Sequence, residues 1–167
     1  MNFIEINFEA LAKKVGEVFL LKNLKLVTAE SCTGGWVGAV ITSQTKSSCW
    51  FERGFITYSC KAKEELLNID AEIIKTHGAV SEETVTAMAL GALKNSLADV
   101  SIAITGVAGP TGGNEKTPVG TIYFAFAYKN KIKSMCKHFT GEQRNDIRAK
   151  AVEFALQELI KFVAIIT

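Results

Sequence analysis

Histidine and proline are scarce in this 167-residue chain, with two of each. Two histidines leave little material for a histidine-based triad or a zinc site. His77 and His138 stand in no triad context and read as helix-end or surface residues. Pro110 and Pro118 both fall in one glycine-rich stretch, and no low-complexity linker or internal repeat interrupts the chain. No apolar run approaches the roughly 18 uninterrupted residues of a membrane span. Neither sign of charge is in excess: 19 basic against 17 acidic residues give a formal net charge of +2, spread along the chain. A nucleic-acid partner needs a concentrated basic face, so none is expected. Cys32, Cys49, Cys60 and Cys136 have irregular spacings and no Cys-x-x-Cys pair, which argues against a disulfide framework and for four reduced thiols. The first residues show no basic region ahead of a long apolar core, so no export signal is expected. These absences predict a cytoplasmic protein with no membrane partner, no metal and no cofactor.

What is present is an ordinary globular balance, 48% apolar and 22% charged residues, in a length suited to one domain over residues 1–167. Phe8, Leu11, Val15, Val18 and Phe19 form a helical stripe over about 7–22. Residues 24–29 read as a buried strand, 35–42 as a helix and 50–58 as a second strand. Short helices are expected over 61–67 and 71–76. Ser81 caps a helix running to about Leu97, with Glu82 and Glu83 at the positive end of its dipole. A third buried strand follows at 100–105. Residues 120–128 and 132–139 then form an antiparallel pair around Lys129-Asn130-Lys131, and a last helix starts near Arg144. This pattern predicts an α/β fold, a three-layer α/β/α sandwich with a mixed, partly parallel sheet.

Chemistry concentrates in the turn after the first strand, Thr28-Ala-Glu-Ser-Cys-Thr-Gly-Gly35. A serine between a buried strand and a helix stands where α/β folds place ligands, and amides at a helix start can face an anion. Ser31 or Thr33 also fits as a plain helix cap. A nucleophilic serine needs a base, and with no suitable histidine the candidates are lysines. Tyr58, Lys61 and Lys63 follow the second strand and can reach the same sheet edge; burial would lower a lysine pKa into a useful range. The loop Thr105-Gly-Val-Ala-Gly-Pro-Thr-Gly-Gly113 has a phosphate loop's glycine content without its Gly-Lys-Ser/Thr ending.

These segments resemble the CinA C-terminal domain family, the nicotinamide-nucleotide amidases. Thr28–Gly35, Trp50–Ser59, His77-Gly-Ala-Val-Ser81, Thr105–Pro110 and Pro118-Val-Gly-Thr121 carry the likeness in order through nearly the whole chain. The resemblance implies hydrolysis of the carboxamide of nicotinamide mononucleotide to nicotinic acid mononucleotide and ammonia, in pyridine-nucleotide salvage. It implies Ser31 as nucleophile, Lys63 rather than Lys61 as base, and Tyr58 steering the proton. Substrate contacts are expected from Thr33, Gly34, Gly35, Gly106, Gly109, Arg144 and Arg148, with the phosphate held by glycine-loop amides and by Arg144 or Arg148. A homo-oligomer is implied as well. Two departures stand out: Cys60 replaces a frequent asparagine, and Gly141-Glu-Gln-Arg144 is one residue longer than the family's Gly-Asp-Arg. The competing readings are a non-catalytic nucleotide-binding module and a Cys32 nucleophile, which lacks an activating histidine.

Overall fold

Alternation along the strands decides the layering. The computed structural model describes residues 6–141 and 143–166. Its strands are β1 (Leu26–Glu30), β2 (Phe51–Ile56), β3 (Val100–Gly106), β4 (Thr121–Tyr128) and β5 (Lys131–His138). Its helices are α1 (Phe8–Leu21), α2 (Trp36–Thr42), α3 (Cys60–Leu67), α4 (Ala71–His77), α5 (Glu82–Lys94) and α6 (Arg144–Ile166). The strands form one sheet in the order β2-β1-β3-β4-β5. β1 lies parallel to β2 and β3, while β3–β4 and β4–β5 are antiparallel, so the sheet is mixed as expected.

Successive strand side chains point to opposite faces. Leu26, Ile102, Ile104, Phe124 and Phe126 face one way and pack with α1, α2 and α6. Val27, Ala29, Ala103, Ala125 and Ala127 face the other way, against Leu67 of α3, Ile74 of α4 and Val85, Met88 and Ala92 of α5. Small side chains on this second face let α5 come close enough for the Ser101 hydroxyl to donate to the Ala89 carbonyl at 2.8 Å. The result is the expected α/β/α sandwich.

The element boundaries differ from the sequence reading in ways with physical reasons. β1 extends through Glu30, one residue past the expected end. α5 stops at Lys94, short of Leu97, where the Asn95 side-chain amide donates to the Gly91 carbonyl at 2.8 Å. Trp50 lies just ahead of β2, buried against Phe19, after a 3₁₀ turn at Ser47–Cys49 that no periodicity announced. Lys131 opens β5 and pairs with Tyr128, leaving Lys129 and Asn130 as the hairpin loop. Among the described residues no helix is long and apolar enough to cross a membrane.

Candidate active site

The strand alternation separates two neighbouring residues of the Thr28–Gly35 turn. Glu30 turns toward α2, and the next residue, Ser31, turns toward α3. The buried Glu30 carboxylate accepts the N–H groups of Gly35 at 3.0 Å, Val37 at 3.1 Å and Gly38 at 2.9 Å. α2 begins at a glycine without a capping side chain, so this carboxylate from the preceding strand satisfies its first turn and suits its positive end. Gly34 and Gly35 adopt φ of +61° and +94°, and a Cβ on Gly35 would stand 2.9 Å from the Ile56 side chain. The helix-start amides expected to face substrate are therefore consumed internally. Gly34 N–H is also engaged, with the Ser31 carbonyl, and Trp36 N–H with that of Thr33. Among the described residues, the N–H groups of Cys32 and Thr33 meet no acceptor in another residue.

Ser31 meets a lysine. Ser59 caps α3 by accepting the Ala62 N–H at 3.0 Å, and Lys63 in the first turn points inward with 1% of its surface exposed. Its Nζ donates to the Thr57 carbonyl at 2.7 Å and to Ser31 Oγ at 3.0 Å. Burial holds the Lys63 pKa below the ordinary lysine value, because water no longer solvates the ammonium form. Lys61, about 200° away around the helix, is exposed and pairs with Glu64 and Glu65. Cys32 is a buried thiol whose pKa is pushed up to about 12, chiefly by that burial. At neutral pH it holds its proton and is a poor nucleophile.

A cavity of about 280 Å³ opens over this pair at the carboxyl ends of β1 and β3, lined also by Tyr58, Ala79, Val80, Thr105, Gly106, Thr111, Gly112 and Arg144. The Thr105 hydroxyl donates to the Ala79 carbonyl at 2.7 Å, pinning the His77–Ser81 segment to the cavity wall. Among the described residues no carboxylate lines it, whereas Arg144 does. The Arg144 guanidinium bridges the mouth, donating to the Gly109 carbonyl at 2.7 Å and the Tyr58 hydroxyl at 2.8 Å.

Not every expected site residue converges there. Tyr58 lines the cavity but is 62% exposed, and among the described residues it bonds to Arg144 rather than to Ser31 or Lys63. Thr33, Gly34, Gly35 and Gly109 lie outside the lining, and Gly109 offers its carbonyl to Arg144. Arg148, expected at the phosphate, stands behind the turn: Nε donates to the Cys32 carbonyl at 3.1 Å and Nη2 to the Thr33 carbonyl at 2.8 Å. His77 pairs with Glu83 at 3.4 Å on the surface, and His138 ends the edge strand β5. Despite the longer Gly141–Arg144 spacing, Arg144 reaches the cavity; Glu142 lies outside the described residues. Cys60 is exposed at the start of α3. Among the described residues no group of three His, Cys, Asp or Glu side chains is placed to hold a metal ion. Sequence reasoning assigned no role to Glu30, the Thr57 carbonyl or Thr105. For Glu30 a signal existed: a carboxylate ending a buried strand just ahead of a glycine-led helix needs N–H partners.

A model of the CinA C-terminal domain matches residues 8–163. The chain belongs to the CinA C-terminal domain family. It is 47% identical over 150 residues to the nicotinamide-nucleotide amidohydrolase PncC of Escherichia coli (strain K12), covering 89% of this chain and 90% of that one. The Shigella flexneri protein of the same name is 46% identical over 149 residues, with the same coverage. Among solved structures, competence damage-inducible protein A (ComA) from Klebsiella pneumoniae subsp. pneumoniae MGH 78578 superposes with a TM-score of 0.92 at 36% identity, over 96% of this chain and 99% of that one. The competence/damage inducible protein CihA from Agrobacterium tumefaciens gives a TM-score of 0.90 at 37% identity, over 96% and 98%. This family of α/β proteins thus shares the fold as well as the sequence.

Proposed function

We propose that the protein is a nicotinamide-nucleotide amidohydrolase, an enzyme that uses Ser31 and Lys63 to hydrolyse the carboxamide of nicotinamide mononucleotide. Its likeness to curated amidohydrolases supports the enzyme class. The observation that carries the mechanism is the 3.0 Å approach of the buried Lys63 Nζ to Ser31 Oγ.

In the reactive state Lys63 is neutral, with one N–H held by the Thr57 carbonyl and its lone pair turned to Ser31. Lys63 takes the Ser31 proton as Oγ attacks the carboxamide carbon. Negative charge develops on the carboxamide oxygen, where the N–H group of Cys32, on the residue after the nucleophile and in the cavity lining, supplies a hydrogen bond; one such donor is typically worth a factor of about 10² to 10³ in rate. Lys63 then gives its proton to the leaving nitrogen, and ammonia departs. Water, deprotonated by Lys63, attacks the Ser31 ester and releases nicotinic acid mononucleotide. Arg144, which among the described residues is the guanidinium lining a cavity that no described carboxylate lines, is assigned to the substrate phosphate, with Tyr58 as its brace. The exposed free thiols Cys49, Cys60 and Cys136 suit a cytoplasmic enzyme of pyridine-nucleotide salvage. A homo-oligomeric state remains part of the same proposal.

The test is ammonia release from nicotinamide mononucleotide by the purified protein. Wild type is expected to turn over and Ser31→Ala to lose activity by orders of magnitude while keeping its thermal midpoint. A Ser31→Ala enzyme of undiminished rate would remove the serine from the mechanism.

A further inference from the structure

We infer that Arg148 is a positioning residue for amide hydrolysis, acting through the backbone of the Ser31 turn and not on the substrate. The inference rests on the serine-amidase reading above and concerns how that turn keeps Ser31 and the Cys32 N–H in register at the cavity.

A peptide unit is planar and trans, so a hydrogen bond that fixes the carbonyl also fixes the N–H on its opposite side. The Cys32 carbonyl belongs to the same peptide as the Thr33 N–H. Arg148 Nε donates to that carbonyl at 3.1 Å, so the Thr33 N–H is directed away from α6. The preceding peptide carries the Ser31 carbonyl and the Cys32 N–H, and the Gly34 N–H secures its carbonyl at 3.0 Å. The third carbonyl, of Thr33, accepts Arg148 Nη2 at 2.8 Å. Every carbonyl of the Ser31–Thr33 stretch thus has a donor, and Arg148 reaches two of the three, sharing that of Thr33 with the Trp36 N–H.

Only arginine has the shape for this task. The planar fork reaches two successive carbonyls at once, which a point-like ammonium cannot do. The guanidinium is held over the Trp36 ring, 5.2 Å from its centroid, and by the Asn145 side chain at 2.9 Å. A Cβ at Gly34 would stand 3.4 Å from Arg148 Nη2, so the glycine lets the fork seat closely. Arg148 does not line the cavity.

The experiment compares wild type, Arg148→Ala and Arg148→Lys by steady-state ammonia release from nicotinamide mononucleotide and from nicotinamide riboside. Loss of an ordered oxyanion donor predicts a kcat fall of about 10²-fold in Arg148→Ala. KM should change little, the proportional loss should be equal for both substrates, and the acidic limb of the pH profile should stay in place. Guanidinium chloride at millimolar concentration should restore part of the kcat of Arg148→Ala, and Arg148→Lys should recover only a minor part of the loss. A raised KM for the mononucleotide alone, with kcat kept, would make Arg148 a phosphate ligand and overturn the inference. A kcat loss that guanidinium does not relieve and that follows a lowered thermal midpoint would overturn it too, in favour of bulk stability. Undiminished ammonia release by Ser31→Ala would instead defeat the serine reading, a result separable from any Arg148 outcome.

Discussion

Replacing Lys63 by methionine tests the site through rate and stability together. The side chain keeps its approximate length, and the amine that reaches Ser31 Oγ at 3.0 Å and the Thr57 carbonyl at 2.7 Å is removed. A general base contributes a factor of about 10² to 10⁴. The other titratable groups lining the cavity are Cys32, Tyr58 and Arg144, and none bonds to Ser31, so the loss should lie at the upper end. In wild type, kcat/KM should rise with pH through one ionisation lying below the free-lysine value of about 10.4, because only neutral Lys63 accepts a proton. Stability carries an independent signature. The unfolded chain takes up a proton on Lys63 as pH drops below about 10.4, whereas the folded chain, its pKa lowered by burial, does not yet. Wild type therefore loses about 1.4 kcal/mol of stability per pH unit from that group across this window, then levels off below the folded pKa. Lys63→Met lacks the slope but pays a pH-independent cost of about 1–3 kcal/mol for leaving the Thr57 carbonyl unpaired. Urea unfolding at several pH values, beside ammonia release, measures both. A variant retaining more than about a tenth of wild-type kcat/KM would refute the base assignment, given that factor. Stability curves that stay parallel across the alkaline range would refute the buried neutral amine.

Cys32→Ala should keep most of the ammonia release, since a thiol with a pKa near 12 is protonated at working pH; abolished activity with the fold intact would move the nucleophile to sulfur. Arg144→Ala should raise KM for nicotinamide mononucleotide by about 10- to 100-fold, the worth of a charge-assisted hydrogen bond of about 1.5–3 kcal/mol, and leave the riboside nearly unchanged. Equal effects on both substrates would make Arg144 a brace of the cavity mouth rather than a reader of phosphate.

Local pattern carried the sandwich: the stripe of α1, the buried runs of β1 and β3 and the Ser81 cap all answer to signals within one element. The approach of Lys63 to Ser31, and the outward turn of Lys61, were legible through motif position. The destination of the turn's amides was not legible. Their acceptor, Glu30, belongs to the same motif, but its role depends on β1 running one residue further than its apolar stretch, which sets the face Glu30 occupies. Arg148 was misplaced for another reason. Its partners lie more than a hundred residues away in sequence, and such contacts follow from how α6 docks, which periodicity within α6 does not encode.

The two bonds from Arg148 to the Ser31 turn also order the site in time. Synthesis delivers β1 and α3, with Ser31 and Lys63, well before α6. Until α6 docks, the Cys32 carbonyl lacks its Arg148 donor and that of Thr33 keeps only the Trp36 N–H, so the turn is not clamped as it is in the folded protein. A nascent chain thus holds the serine and the lysine before it holds the clamp, and on the proposed mechanism catalytic competence reports complete folding, delivered by the last helix.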